Sequence, residues 1–167
     1  MTLPQRSTPT PASHSSRLTR LRAAARRPGE ASFFWYDSHF GNDAVKVLPG
    51  EYFVHAEDIL IMTTLGSCIA VCLWDRERRI GGLNHFMLPQ GASSDGGYGS
   101  YAMELLINEM LRQGASRPAL EAKVFGGAQV VAGMETMNVG ERNTWFVLEY
   151  LQIERIPVVS RAVLDVH

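Results

Sequence analysis

Cys68 and His85 are the residues of this chain best suited to covalent chemistry, and the sequence around them says how they could meet. Cys68 ends the segment Thr63-Thr64-Leu65-Gly66-Ser67-Cys68 and leads into the apolar run Ile69-Ala70-Val71-Cys72-Leu73-Trp74. After Asp75-Arg76-Glu77-Arg78 a second run, Arg79–Phe86, carries His85. Two such runs split by a polar segment predict a β-hairpin. With Trp74 paired to Arg79 around a loop over 75–78, the register sets Cys68 directly opposite His85, where Cβ atoms lie about 4.5–5.5 Å apart. A thiol beside an imidazole is a nucleophile with its base. A slip of one residue would turn the two to opposite faces.

Gly66 permits the sharp backbone approach that lets a nucleophile stand clear of a sheet, and backbone N–H groups near Ser67 and Cys68 could bind an oxyanion. The plainer readings are a turn glycine and a cysteine buried as a small hydrophobe. Cys72 lies in mid-strand on the face of Cys68 among apolar neighbours, which reads as packing. A metal site on Cys68-x-x-x-Cys72 lacks two further ligands, so no metal is expected. Gly126-Gly127 follows a strand without any phosphate-loop pattern and reads as close backbone packing, so no cofactor is expected either. Asn143 reads first as a helix cap. His14, His39, His55 and His167 have no motif around them and are expected at the solvated surface.

The elements that must hold these groups follow from patterning. Residues 1–30 are rich in Pro, Ser, Thr, Ala and Arg, with Leu18 and Leu21 the only large aliphatics after Leu3, and are expected to form a disordered Arg-rich tail over 1–31. The folded body is expected from Ser32 to His167. Lys46-Val47-Leu48, Pro49-Gly50 and Glu51–Val54 read as strand, turn and strand, and Ile59–Met62 leads into the cysteine hairpin. Gln90–Ser100 reads as a Gly/Ser loop at the mouth of a site, with Ser100 capping a helix to about Gln113. Glu121–Phe125 reads as a strand, Arg142–Gln152 as a second helix and Val158–Val163 as a closing strand. The fold class is therefore α/β, a layered sandwich with a mixed β-sheet.

Charge and cysteine content bound the function. Residues 1–30 carry six Arg against one Glu, leaving ten basic and sixteen acidic groups in the body, so nucleic acid is not an expected partner. No apolar run approaches the roughly 18 residues of a membrane span, and two cysteines four apart suit a reducing cytoplasm. A monomer without membrane insertion is expected.

Five motifs in order give the chain a family resemblance: Leu48-Pro49-Gly50-Glu51, Leu65-Gly66-Ser67-Cys68, Gly82-Leu83-Asn84-His85-Phe86-Met87-Leu88-Pro89, Lys123-Val124-Phe125-Gly126-Gly127-Ala128 and Asn138-Val139-Gly140-Glu141-Arg142-Asn143. Over about residues 33–161 it resembles CheD, the chemoreceptor glutamine deamidases of bacterial chemotaxis. The resemblance implies a cysteine hydrolase fold related to the cytotoxic necrotizing factor toxins. It implies deamidation of receptor glutamines through a Cys thioester, with Cys68 as nucleophile, His85 as base and a threonine as third member. Thr63 is the first choice for that threonine and Thr64 the second. The spacing before Gly66-Ser67-Cys68 is one residue shorter than the family form, while an unbroken strand would put Thr64 on the face of Cys68. Gly66, Ser67, Asn84 and Asn143 are the candidate oxyanion or substrate contacts. The family form also continues past Ser160-Arg161 into a final hairpin, so its last strands are expected to be missing or divergent here. The competing reading is a non-catalytic adaptor that binds chemoreceptors or a CheC-type phosphatase.

Overall fold

A computed structural model describes residues 11–88, 95–128 and 139–164. In chain order they form α1 (Pro11–Ala23), β1 (Phe33–Asp37), β2 (Asn42–Lys46), β3 (Tyr52–His55), β4 (Leu60–Met62), β5 (Ile69–Asp75), β6 (Ile80–Phe86), α2 (Asp95–Arg112), a 3-10 turn (Arg117–Ala119), β7 (Leu120–Gly126), α3 (Val139–Ile153) and β8 (Val158–Val163). The strands make two mixed sheets, a small one ordered β1-β2-β4 and a large one ordered β3-β6-β5-β7-β8. In the small sheet β2 and β4 run parallel, as do β7 and β8 in the large one; the other pairs are antiparallel. The α/β layered reading holds, with two sheets where one was expected. No helix among the described residues is long and apolar enough to cross a membrane.

Alternation along the central strands assigns the layers. Ile69, Val71 and Leu73 of β5, with Ile80 and Phe86 of β6, pack against Met103, Leu106 and Met110 of α2 and Val147 and Leu151 of α3. Ala70, Cys72 and Leu83 face the other way, toward Phe34, Val45 and Ile61 of the small sheet and Leu18 and Leu21 of α1. His85 shares the parity of Leu83, so its side chain belongs to the layer between the sheets.

The stretch expected to be a disordered tail is a docked helix from Pro11 onward. Leu18 and Leu21 are buried, and Arg17 reaches Asp43 through Nε (2.5 Å), the Asn42 amide oxygen (2.8 Å) and the Asp58 carbonyl (2.9 Å). An arginine paired with a wholly buried carboxylate is a contact that apolar periodicity could not show. Farther along, Ser100 does not cap α2. The helix begins at Asp95, and Gly99 lies inside it so close to Phe146 and Leu88 that no side chain fits. The remainder of the expected loop, residues 90–94, lies outside the described residues.

The strands on either side of Pro49-Gly50, β2 and β3, belong to different sheets. The turn carries the chain between layers, with Gly50 at φ +85° and the Glu51 N–H donating to the Leu48 carbonyl (2.9 Å). His55, expected in solvent, is half-buried on β3 and stacks on Phe53.

Candidate active site

His85 is fixed from its backbone outward. The Gly50 N–H donates to the His85 carbonyl (2.7 Å) and the His85 N–H donates to the Glu51 carbonyl (3.0 Å), so the Pro-Gly turn clasps the strand at this residue. The imidazole is buried at 3% exposure, and its Nδ1 lies 2.8 Å from Thr63 Oγ1. Thr63 follows β4, whose Met62 pairs with Lys46; the Val47 N–H donates to the Met62 carbonyl at 2.8 Å, bringing Val47 beside Thr63. The threonine hydroxyl donates its single proton to the Val47 carbonyl (2.7 Å). It can then only accept from the ring, which assigns the proton to Nδ1 and the lone pair to Nε2. Nε2 is buried and has no hydrogen-bond partner among the described residues. Thr64, the other candidate, is exposed.

Cys68 enters from the loop that joins the small sheet to β5. The expected hairpin register is displaced by two residues: Asp75 pairs with Ile80 and Ala70 with His85, so Cys68 is not directly opposite the imidazole. Asp75 extends the strand because its carboxylate accepts from the Glu77 and Arg78 N–H groups (2.8 Å each), while Arg79 takes φ 59° and closes the turn. A shift of two preserves the face. Extending the register by one position sets Cys68 diagonal to His85, and diagonal neighbours in a sheet lie roughly 7–8 Å apart, within reach of longer side chains.

Three successive carbonyls of the Cys68 loop are tied down. The Gly66 carbonyl accepts from the Ala128 N–H (2.9 Å), that of Ser67 from the Asn143 side-chain amide (2.9 Å) and that of Cys68 from the Gly127 N–H (2.9 Å). Gly126, at φ +105°, runs so close under the Cys68 carbonyl that a Cβ there would overlap it. The Gly126-Gly127 pair is therefore the bed of the Cys68 loop, as its close-packing reading expects.

Burial sets the protonation of the pair. It holds the His85 imidazole below its ordinary 6.5, outweighing an opposing pull from the Val47 carbonyl. It also pushes the Cys68 thiol above its ordinary range. Both shifts favour the uncharged form. At neutral pH the resting pair is thiol and neutral imidazole. Cys72 is pushed up to about 11, chiefly by burial, which makes it a poor nucleophile near neutrality.

A family model described as CheD chemotactic sensory transduction matches residues 87–167. Among curated proteins, a "probable chemoreceptor glutamine deamidase CheD 1" of Albidiferax ferrireducens is 68% identical over 154 residues, which are 91% of this chain and 66% of the relative. The protein of that name from Shewanella oneidensis is 53% identical over 80% of this chain and 68% of its own length. A "probable chemoreceptor glutamine deamidase CheD" of a Janthinobacterium species is 49% identical over 82% of this chain and 71% of its own. This chain belongs to the CheD family. It spans about two thirds of the length of these relatives. Among solved structures, Bacillus licheniformis hypothetical protein YfiH aligns with 70% of this chain and 48% of its own, at 12% identity and a TM-score of 0.36, too slight a likeness to build on.

In this CheD-family chain the five motifs converge. The Leu48–Glu51 turn clasps His85, and Gly126-Gly127-Ala128 beds the Cys68 loop. Asn143 sits in the first turns of α3, wholly buried, and bonds the Ser67 carbonyl and the Leu88 N–H (3.0 Å) instead of capping its own helix. Asn84 is turned away: its amide oxygen accepts from the Val71 N–H (3.1 Å) and its nitrogen donates to the Ala102 carbonyl of α2 (3.2 Å), in the helical layer. That placement removes Asn84 from the face of Cys68. The Val47 carbonyl belongs to the site although no side-chain motif could reveal it, since its part is played by the backbone.

Proposed function

We propose that this chain hydrolyses glutamine side chains on the cytoplasmic domains of chemoreceptors to glutamate, acting as a monomeric cysteine hydrolase. The observation that supports this reading most directly is the Thr63–His85 contact. It leaves an Nε2 lone pair without a hydrogen-bond partner among the described residues, on the face to which Cys68 belongs, ready to take the thiol proton. In the proposed reaction Cys68 Sγ bonds to the amide carbon as its proton passes to Nε2. The imidazolium returns that proton to the departing nitrogen, ammonia leaves and a thioester remains. Water then attacks the thioester, His85 takes a water proton and returns it to sulfur, and the product is glutamate with free Cys68. Backbone N–H groups at Ser67 and Cys68 stabilise the oxyanion.

The test is intact-mass analysis of a receptor cytoplasmic fragment incubated with the protein. The wild type should add the mass of one deamidation per modified glutamine and release ammonia, while Cys68→Ala, still folded, should do neither. Full turnover by Cys68→Ala would overturn the assignment. Receptor binding without any mass change in the wild type would favour the adaptor reading, in which the same cleft holds a receptor or a CheC-type phosphatase.

A further inference from the structure

Planar peptide geometry carries a consequence for the nucleophile loop. The Ser67 carbonyl and the Cys68 N–H belong to one trans peptide unit and point in opposite directions, so whatever holds the carbonyl also aims the N–H. The carbonyl is held by a side chain, Asn143 Nδ2, at 2.9 Å. The Cys68 N–H donates to no acceptor among the described residues, and neither does that of Ser67. A backbone donor with no partner beside a nucleophile is either a cost or an anion site. The amide of Asn143 is itself locked, because its oxygen accepts from the Leu88 N–H (3.0 Å) and the residue is 0% exposed. The neighbouring Arg142 donates to the Leu88 carbonyl (3.2 Å), so the start of α3 grips the exit of β6 through both groups of one residue.

We propose that Asn143 is a positioning residue for the reaction: through the Ser67 carbonyl it turns the Cys68 N–H into the cleft as an oxyanion donor. It touches neither substrate nor the reacting sulfur. The thiol and its base are held by other bonds: Cys68 by Gly127, and His85 by Gly50, Glu51 and Thr63. Losing the Asn143 donor therefore frees the Ser67–Cys68 peptide to rotate while the nucleophile and base stay in place. The inference rests on the deamidase reading and adds a separable part to it.

Two reactions of the same thiol separate the parts. Alkylation of Cys68 by iodoacetamide needs the thiol and imidazole but develops no oxyanion on a carbonyl, whereas deamidation needs all three. In Asn143→Ala and Asn143→Asp, the second keeping the volume and the acceptor for Leu88 while losing the donor, kcat should fall by about 10–100-fold. That is near the range for a lost oxyanion donor. KM should change by less than about threefold, and alkylation rates should stay within about twofold, well under a tenfold change. A kcat within twofold of wild type in both variants would overturn the proposal. So would a parallel loss of turnover and alkylation, or failure of both to fold, because each would make Asn143 a general support of the fold. Failure of the deamidase reading would show separately, as a wild type that alkylates but never deamidates.

Discussion

Thr63 and Thr64 are adjacent in sequence and opposite in consequence. Replacing either by valine keeps the shape and removes a hydroxyl. Only the Thr63 hydroxyl bridges His85 and Val47, so Thr63→Val should lower kcat by about tenfold or more, a fraction of the ~10²–10⁴ supplied by positioned proton transfer. Thr64→Val should change it by less than about twofold, and steady-state turnover of a receptor fragment would compare the two. Protonation offers a second test at the same residues. The base must be neutral, and burial depresses the His85 pKa, so the acid limb of kcat/KM should have its midpoint below 6.5. Turnover should rise through that limb as pH increases and hold across neutrality, because the Cys68 thiol is shifted upward. The sign for stability agrees: a histidine depressed in the folded state binds its proton more readily when unfolded, so it disfavours folding as pH falls through its ordinary 6.5. An acid midpoint above 6.5 would mean that the base is stabilised as imidazolium by a group not in this arrangement. Spacing put Cys68 and His85 on one face but in a register two residues off, and the resemblance offered Thr63. Alternation pointed to Thr64, whereas the hydroxyl that contacts His85 is that of Thr63, in a segment that is not a strand.

Glycine-bearing segments decide how closely elements can approach the nucleophile. Gly126 and Gly114 have nearly the same backbone, φ +105° and +104°, and differ in surroundings: a Cβ on the first overlaps the Cys68 carbonyl, while one on the second only touches Ile80. Each Gly→Ala change carries the left-handed strain, about 1–2 kcal/mol. Gly126→Ala should lower the urea midpoint further and slow Cys68 alkylation, whereas Gly114→Ala should lower the midpoint and leave alkylation unchanged. Equal effects of the two on alkylation would show that the close approach does not set the thiol. At this scale the sequence was partly readable. β7, β8 and α3 fell close to their expected bounds because their apolar residues recur at one period. The hairpin register was missed because Asp75, polar and turn-forming by type, closes the strand from inside through its own carboxylate. The start of α2 was missed because glycines that usually mark a loop lie within the helix.

The candidate site draws on every layer of the molecule: His85 and Cys68 come from the large sheet and the loop entering it, Thr63 and Val47 from the edge of the small sheet, and Asn143 from the helical face. The small sheet is also where α1 docks, although composition led to the expectation of a disordered tail. Two buried leucines contribute about 1.5–3 kcal/mol each. Deleting Arg17 removes an ion pair to the wholly buried Asp43 carboxylate, and breaking a buried pair costs up to about 3–5 kcal/mol. Against a typical domain stability of about 5–15 kcal/mol, these losses leave the truncated chain marginal. The damage has an address as well, because Arg17 and Arg20 brace Asp58 and Glu57, the loop that leads into β4 and on to Thr63. A protein lacking residues 1–23 should therefore melt well below the full chain. Assayed cold enough to stay folded, it should lose turnover by a factor close to that of Thr63→Val, since both loosen the same imidazole. Arg17→Met should reproduce part of the melting shift on its own. A truncated protein with the melting temperature and turnover of the full chain would show that α1 is an appendage and that the small sheet holds Thr63 unaided.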